Sequence, residues 1–491
     1  MKEIGYIFLV HAYIPYVLNH FFEDWLYEAI DEVYIKMILT LKRLHKNNIP
    51  IKIMMDIVPV TVSQLKNYAL KDKFEGYLLR KIEKYQNDEK IFEEKNLPKY
   101  SFLAKYFGEE KRRHLEFYRE IEGDIIGEFK KLQESGMVRI GTSALTHPIL
   151  PIINENSQKK QIADAVEYHK KVFGTEPAFF WSPECVTYPE LEEYLISNGI
   201  NILFIDGLLI DRSKNSTLYP CEFPSGLTVF GRHSLTVRFL WDRQEGFAGN
   251  PEYKDFYREY ERVTDRKGQQ EKEVYDIEAV KERITKDVDA FIRYKLEPEL
   301  QHKNPYSNSQ LCITHPIDAE FWGHWCYEGW DFVYELARQL EKNDKIEFVF
   351  ADEYISKNGT FQKLERLPLS SWGIHGNLDQ WLTTGTVNIS KEEKPGLWNY
   401  IWEIEEKYWN LARSKIHKHS EIEQRMLNQM WYELLLSQHS DWFFLYVNGE
   451  GDYAVDRVKE HHGKFMELAN MYQNQVNEER LKEIEEEDNI F

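Results

Sequence analysis

Pro177-Ala178-Phe179-Phe180-Trp181-Ser182-Pro183-Glu184-Cys185 is the stretch that decides the fold. An apolar run leads into a tryptophan, and a proline then breaks the extended chain beside a carboxylate. Such a run reads as a buried strand, and strands buried on both faces belong to parallel sheets covered by helices. In parallel α/β barrels the functional side chains gather where strands end, and Glu184 stands at such an end. A second site has the same shape, with Leu311-Cys312-Ile313 leading toward His315-Pro316-Ile317-Asp318-Ala319-Glu320. The helix dipole also favours a carboxylate at a helix start, so position alone decides neither residue.

Outward from these two sites, short apolar runs at 6–10, 51–58, 138–141, 202–205 and 347–350 read as further buried strands. Helical spacing of apolar residues falls between them, at 24–45, 158–173, 188–197 and 328–340. Repeated strand–helix alternation means an α/β fold with a mainly parallel sheet. No glycine-rich phosphate loop follows the first strand, which favours a barrel over an open sheet. The charged stretch 63–133 reads as a helical hairpin inserted after the second strand, and 242–272 as an excursion over one face. From about 395 the pattern is helical only, at 397–412, 424–438 and 453–472. The expected organisation is a catalytic barrel over 1–360, carrying a helical insertion over 63–135. A C-terminal helical domain over 361–491 contributes to the cleft, where the loop Leu369-Ser370-Ser371-Trp372-Gly373-Ile374-His375-Gly376 is suited to line it.

Composition narrows the function. The 491 residues carry a net charge of −20, which repels a phosphate backbone, so no nucleic-acid partner is expected. Aromatic content is 14%, with 13 Trp and 30 Tyr, and such rings both fill cores and stack on sugars. Cys185, Cys221, Cys312 and Cys326 lack metal-site or disulfide spacing and fit reduced, buried thiols in the cytoplasm. The N-terminus lacks a signal-peptide core, and no apolar run is long enough to span a membrane.

Two carboxylates at strand ends among aromatic residues suit chemistry on a sugar, where one stays ionised and the other protonated. Around Asp318 lie His315, Glu320, Trp322, His324, Trp325 and Glu328. His11 ends the first strand and His147 follows the third; with His324 they make a set of donors to sugar hydroxyls around one site. A rival reading has these histidines and Asp318 hold a metal for hydrolysis or deacetylation. No HxH or HxxxH pair at a strand end supports it, so neither metal nor cofactor is expected. His461-His462 falls on a polar helix and reads as solvated.

The segments 11–17, 145–151, 181–185, 318–329 and 370–381 follow the order of the five motifs of glycoside hydrolase family 57. The chain resembles most the α-1,4-glucan branching enzymes of that family, and the likeness continues at 24–30, 223–232 and 453–457. The resemblance implies an incomplete TIM-like (β/α)7 barrel with a helical insertion and a C-terminal helical domain. It also implies a retaining enzyme that cleaves α-1,4 and forms α-1,6 linkages, with Glu184 as nucleophile and Asp318 as acid/base. In retaining enzymes such carboxyl groups lie about 5–5.5 Å apart. By the same resemblance His11, Tyr13, His147, Trp181, Arg232, His324, Trp325, Trp372 and Trp381 bind substrate; Trp25 and Trp241 are further stacking candidates. The implied partner is an α-glucan polymer, and the protein a monomer or small homo-oligomer. Tyr13 replaces a second motif histidine, Ser182 a bulkier apolar residue, and Cys326 a common tryptophan. The loop between Asp206 and Phe223 is shortened, and Tyr219 is its only tyrosine available as a lid residue. A shorter lid favours leakage to water. Alternatives are an α-glucan hydrolase or 4-α-glucanotransferase of the same family, a catalytically weak glucan-binding protein, and a metal-dependent deacetylase.

Overall fold

β1 (Ile4–Ala12) is buried at every position, as its unbroken apolar run requires of a central parallel strand. It pairs in parallel with β2 (Ile53–Ile57) on one side and β8 (Leu311–Asp318) on the other. The registers align His11 with Asp56 and His11 with Asp318, so three polar side chains sit at one level across three adjacent strands. β3 (Val138–Gly141) extends the ladder beyond β2, and β9 (Ile346–Phe348) pairs with the first residues of β1. A bridge between Thr142 and Phe180 carries the chain to a second sheet. In it β4 (Phe180–Trp181), β5 (Ile202–Ile205) and β7 (Thr228–Gly231) run parallel. Past β7, the His233 N–H donates to the Thr314 carbonyl of β8 at 2.8 Å. The ring is therefore an incomplete barrel: two mainly parallel sheets meet through a few backbone bonds between 140–142 and 178–181 and through the His233–Thr314 bond, not through continuous ladders. β6 (Cys221–Glu222) lies antiparallel to β7 and parallel to β10 (Gln362–Lys363).

This computed structural model describes residues 2–213, 215–242, 246–263, 273–302, 304–306, 309–359, 362–382, 396–413, 419–448, 451–488 and 490–491. Of the expected excursion, 246–263 forms turns with a Lys254–Arg262 bridge; 243–245 and 264–272 lie outside the described residues. After β2 the helices Leu70–Glu94 and Pro98–Glu120 pack on each other as a hairpin. A buried ion pair fixes that hairpin to the barrel, where Lys111 Nζ lies 2.5 Å and His114 Nδ1 2.6 Å from Asp31.

The C-terminal helices are Leu397–Arg413, Glu421–Ser437, Ser440–Asn448, Gly451–Gln473 and Glu478–Glu487. Ser420 and Glu423 cap the second of these reciprocally, satisfying two of its free N–H groups. The domain docks through polar contacts. Thr146 Oγ1 donates to the Leu435 carbonyl at 2.9 Å, and Gln161 Nε2 to Gln438 Oε1 at 3.0 Å. Among the described residues no helix is long and apolar enough to cross a membrane.

Candidate active site

Glu184 is held in the left-handed region, at φ 55° and ψ 26°, and Cys185 follows it at φ 51°. Two consecutive non-glycine residues there cost about 1–3 kcal/mol each and persist only where the surroundings hold them. The holding bonds are local. Cys185 N–H donates to Ser182 O at 2.8 Å, Val186 N–H to Pro183 O at 2.9 Å, and Ser182 Oγ to Val186 O at 2.5 Å. Ser182 therefore serves the turn, which explains a hydroxyl at that position. The loop beyond β10 clamps the turn from outside, since Thr187 and Ser370 exchange backbone bonds at 2.9 and 3.1 Å.

Two donors converge on the Glu184 carboxylate. Trp372 Nε1 donates to Oε2 at 2.7 Å, and Ser440 Oγ donates to Oε1 at 2.8 Å. Burial pushes the Glu184 pKa up to about 7; these two bonds pull it down, the charge of Asp318 raises it, and His11 lowers it. Asp318 is also raised, first by burial and then by Asp56, with His11 and Arg232 opposing. Glu320 and Asp441 are pushed well up by burial and by the neighbouring carboxylates. The site is thus a crowd of acids around few cations.

His11 is the cation within it. Its Nδ1 lies 2.8 Å from Asp56 Oδ2, and burial, which lowers its pKa, is outweighed by Asp56, so the value rises to about 9. Its ring stacks 5.0 Å from both Trp181 and His147, and Trp181 meets Trp372 edge-on at 5.4 Å. Tyr13 stacks 4.0 Å from His147 and bonds His439 Nδ1 at 3.0 Å, so its phenol is spent partly on the helical domain. Arg232 pairs with Asp206 at 2.6 Å and lies 5.5 Å over the Trp372 ring.

Other expected residues lie elsewhere. His324 does not join His11 and His147; its Nδ1 bonds Glu32 Oε2 at 2.7 Å. Trp241 and Trp325 form a half-exposed pair 5.3 Å apart beside Phe321. Trp381 is only 1% exposed and backs the loop at Gly373 instead of offering a face. Trp25 is half-buried on the helix Glu23–Glu28. Tyr219 is buried, bonded to Asn304 Oδ1 at 2.7 Å, and its neighbour Leu218 accepts from Cys312 at the start of β8. It therefore sits at the opposite end of that strand from Asp318, not over the carboxylates. His315 is buried on the outer side of the sheet, against Phe291 and Trp322, with its Nδ1 on the Tyr6 hydroxyl. Cys326 is buried too, so that departure from the motif falls in the core.

His461 is fully buried and not solvated, with Nδ1 on Glu433 at 2.8 Å. Glu433, His461 and Asp488 are the one group among the described residues with metal-binding spacing. Arg457 lies 2.6 Å from His461 Nε2, and Lys464 2.6 Å from Asp488, so protein cations already fill the place of an ion. His11, His147 and Asp318 form no such group.

The profile described as glycosyl hydrolase family 57 matches residues 7–366, and the chain belongs to that family. Residues 400–491 match a second profile, the C-terminal region of 1,4-alpha-glucan branching enzymes. The sequence is 30% identical to 1,4-alpha-glucan branching enzyme TK1436 of Thermococcus kodakarensis, across 99% of this chain and 77% of that protein. The fold is similar to the GH57-type branching enzyme of Pyrococcus horikoshii, with TM-score 0.89, 28% identity, and 100% and 95% of the two chains covered. It is also similar to the alpha-amylase AmyC of Thermotoga maritima, with TM-score 0.87, 26% identity, and 100% and 98% covered.

Proposed function

We propose that the protein is a retaining 1,4-α-glucan branching enzyme in which Glu184 is the nucleophile and Asp318 the acid/base. The observation that supports the assignment is the asymmetry of donors. Trp372 and Ser440 both donate to Glu184 and so favour its anion, whereas among the described residues none donates to the Asp318 carboxyl. Two nearby carboxyls that share one proton place it on the less well solvated partner, here Asp318.

The chemistry then runs in two displacements. A Glu184 oxygen bonds to the anomeric carbon as the C1–O4 bond breaks, and Asp318 gives its proton to the leaving oxygen. Esterification removes the Glu184 charge, so Asp318, now ionised, takes a proton from the 6-hydroxyl of an acceptor glucan. That hydroxyl attacks the anomeric carbon, frees Glu184 and leaves an α-1,6 branch. His11, cationic between Asp56 and Asp318, offsets part of the negative charge throughout. The substrate is a neutral α-glucan polymer, indifferent to the acidic surface. Four buried free thiols fit a reducing, cytoplasmic setting.

A second reading within the family is an α-glucan hydrolase, favoured by the likeness to AmyC and by Tyr219 lying away from the carboxylates. A site with less cover admits more water to the ester. Linkage analysis after incubation with amylose tests both: new α-1,6 bonds with some free reducing ends support branching with leakage, and linear fragments alone make the enzyme a hydrolase.

A further inference from the structure

Ser440 opens the helix Ser440–Asn448 in the C-terminal domain, yet it reaches the carboxylate in the turn after β4. Its backbone N–H donates to the His147 carbonyl at 3.0 Å. Its hydroxyl lies 2.8 Å from His147 Nδ1 and 2.8 Å from Glu184 Oε1. His147 is itself fixed by left-handed backbone, at φ 57°.

A serine hydroxyl has one proton and accepts through two lone pairs, so it cannot donate to both neighbours. With Glu184 ionised, the proton points to Oε1. His147 must then carry its hydrogen on Nδ1 and donate to Ser440 Oγ. Burial holds the imidazole neutral, so Nε2 is left as a bare acceptor, buried and without a partner. Protonating Glu184 at Oε1 turns the serine proton away from it: Glu184 donates to Oγ, and Oγ gives its own proton either to the Tyr13 oxygen or to Nδ1, the latter moving the His147 hydrogen to Nε2. That tautomer places an N–H where no group of the described residues accepts it, and buried orphan N–H groups are more costly and rarer than under-used acceptors. Protonation at Oε2 is opposed separately, because the Trp372 indole there is a donor only.

We propose that Ser440 is a positioning residue of the catalytic centre. Its hydroxyl, backed by His147 Nδ1–H, favours the ionised form of Glu184 against the cost of burial, so the helical domain biases the charge of the barrel's nucleophile. The inference rests on Glu184 being that nucleophile. It also accounts for a fully buried polar run, Ser437-Gln438-His439-Ser440, between two apolar helices.

The test is the pH dependence of kcat/KM for Ser440→Ala on amylose. The titratable groups facing Glu184 are Asp318 at the end of β8, His11 and Tyr13 from β1 and its end, His147 after β3 at 3.8 Å, and Asp441 from Ser440's own helix. Arg232 adds a fixed charge. All of these remain in the variant, so a moved acid limb reports on Glu184. Losing one charge-assisted bond should raise that limb by about one pH unit, lowering activity about tenfold below it and little on the plateau. Ser440→Thr, which keeps the hydroxyl, should return the limb toward wild type. A fall by the same factor at every pH would show a purely structural role and overturn the relay, as would an unmoved profile. The two claims separate cleanly. Turnover retained in Glu184→Gln sinks the nucleophile assignment, whereas an inactive Glu184→Gln with an unshifted Ser440→Ala sinks the relay alone.

Discussion

Trp372 is bonded to Glu184 twice, its backbone N–H to the Glu184 carbonyl at 3.2 Å and its indole Nε1 to Oε2 at 2.7 Å. A loop far along the chain thus fixes both the strained backbone and the carboxylate of one residue. Trp372→Phe keeps a ring but removes the indole donor. A hydrogen bond to a charged group contributes about 1.5–3 kcal/mol, so kcat/KM should fall about ten- to a hundredfold. Steady-state kinetics beside a thermal melt checks this; an unchanged kcat/KM in a folded variant would remove the bond from the mechanism.

Glu184→Gln separates activity from stability. Without the ionisable carboxylate proposed as nucleophile, turnover should fall by at least about three orders of magnitude. The folded pKa of Glu184, about 7, lies above its ordinary 4.5. Between those values the folded state holds a proton that the unfolded state has lost, so burying Glu184 costs nothing at low pH and roughly 3 kcal/mol above pH 7. The glutamine variant should therefore melt higher than wild type at pH 8, with the gap closing by pH 5. Calorimetry at the two pH values decides it, and equal melting temperatures at pH 8 would contradict the burial cost.

The half-exposed pair Trp241 and Trp325 offers ring faces beside the segment that follows Asp318. If glucan stacks there, Trp325→Ala should raise KM for amylose by roughly tenfold and leave kcat within about twofold. Short maltooligosaccharides that do not reach the pair should be unaffected. A matching loss on short and long substrates would instead assign Trp325 to packing.

How much of this was legible in the sequence depends on what each signal reports. Unbroken apolar runs such as Ile7-Phe8-Leu9-Val10 announce central parallel strands, because no side of such a strand meets water. β7 escaped that reading: Thr228-Val229-Phe230-Gly231 is short and follows the turn Phe223-Pro224-Ser225-Gly226, so it reads as loop. The anticipated strand at 178–181 shortens to Phe180–Trp181 because Ala178 N–H bonds the Ile140 carbonyl before regular pairing begins.

Motif order brought Glu184, His11, His147, Trp181 and Trp372 to one place, but nearness in sequence misled around Asp318. The short turn Ala319–Phe321 sends its followers apart: His324 to Glu32, Glu328 to Tyr275 and Lys254 N–H, and Trp322 into the core. Ser440 was missed for a physical reason. A polar link between helices is normally solvated, and only its flanks, Leu434-Leu435-Leu436 and Trp442-Phe443, hint that this one is buried.

The His11–Asp56 pair carries the remaining pH dependence. Burial alone would lower the His11 pKa, but the attraction and hydrogen bond of Asp56 outweigh it, with Asp318 and Glu320 adding to the rise toward 9. Burial also pushes Asp56 up, and His11 offsets part of that cost. A histidine raised above its ordinary 6.5 contributes stability that is fully present below that pH and lost as pH climbs through about 9. Asp56→Asn removes the attraction and leaves His11 buried among Asp318, Glu320 and Trp181. At pH 6 the variant should unfold about 3 kcal/mol more easily than wild type, and by pH 10 the difference should narrow to a fraction of that. Its kcat should fall as well, because the one cation between the carboxylates becomes neutral at working pH. Denaturant melts at both pH values make the check, and a stability loss that is the same at pH 6 and pH 10 would show that His11 carries no charge in the folded protein.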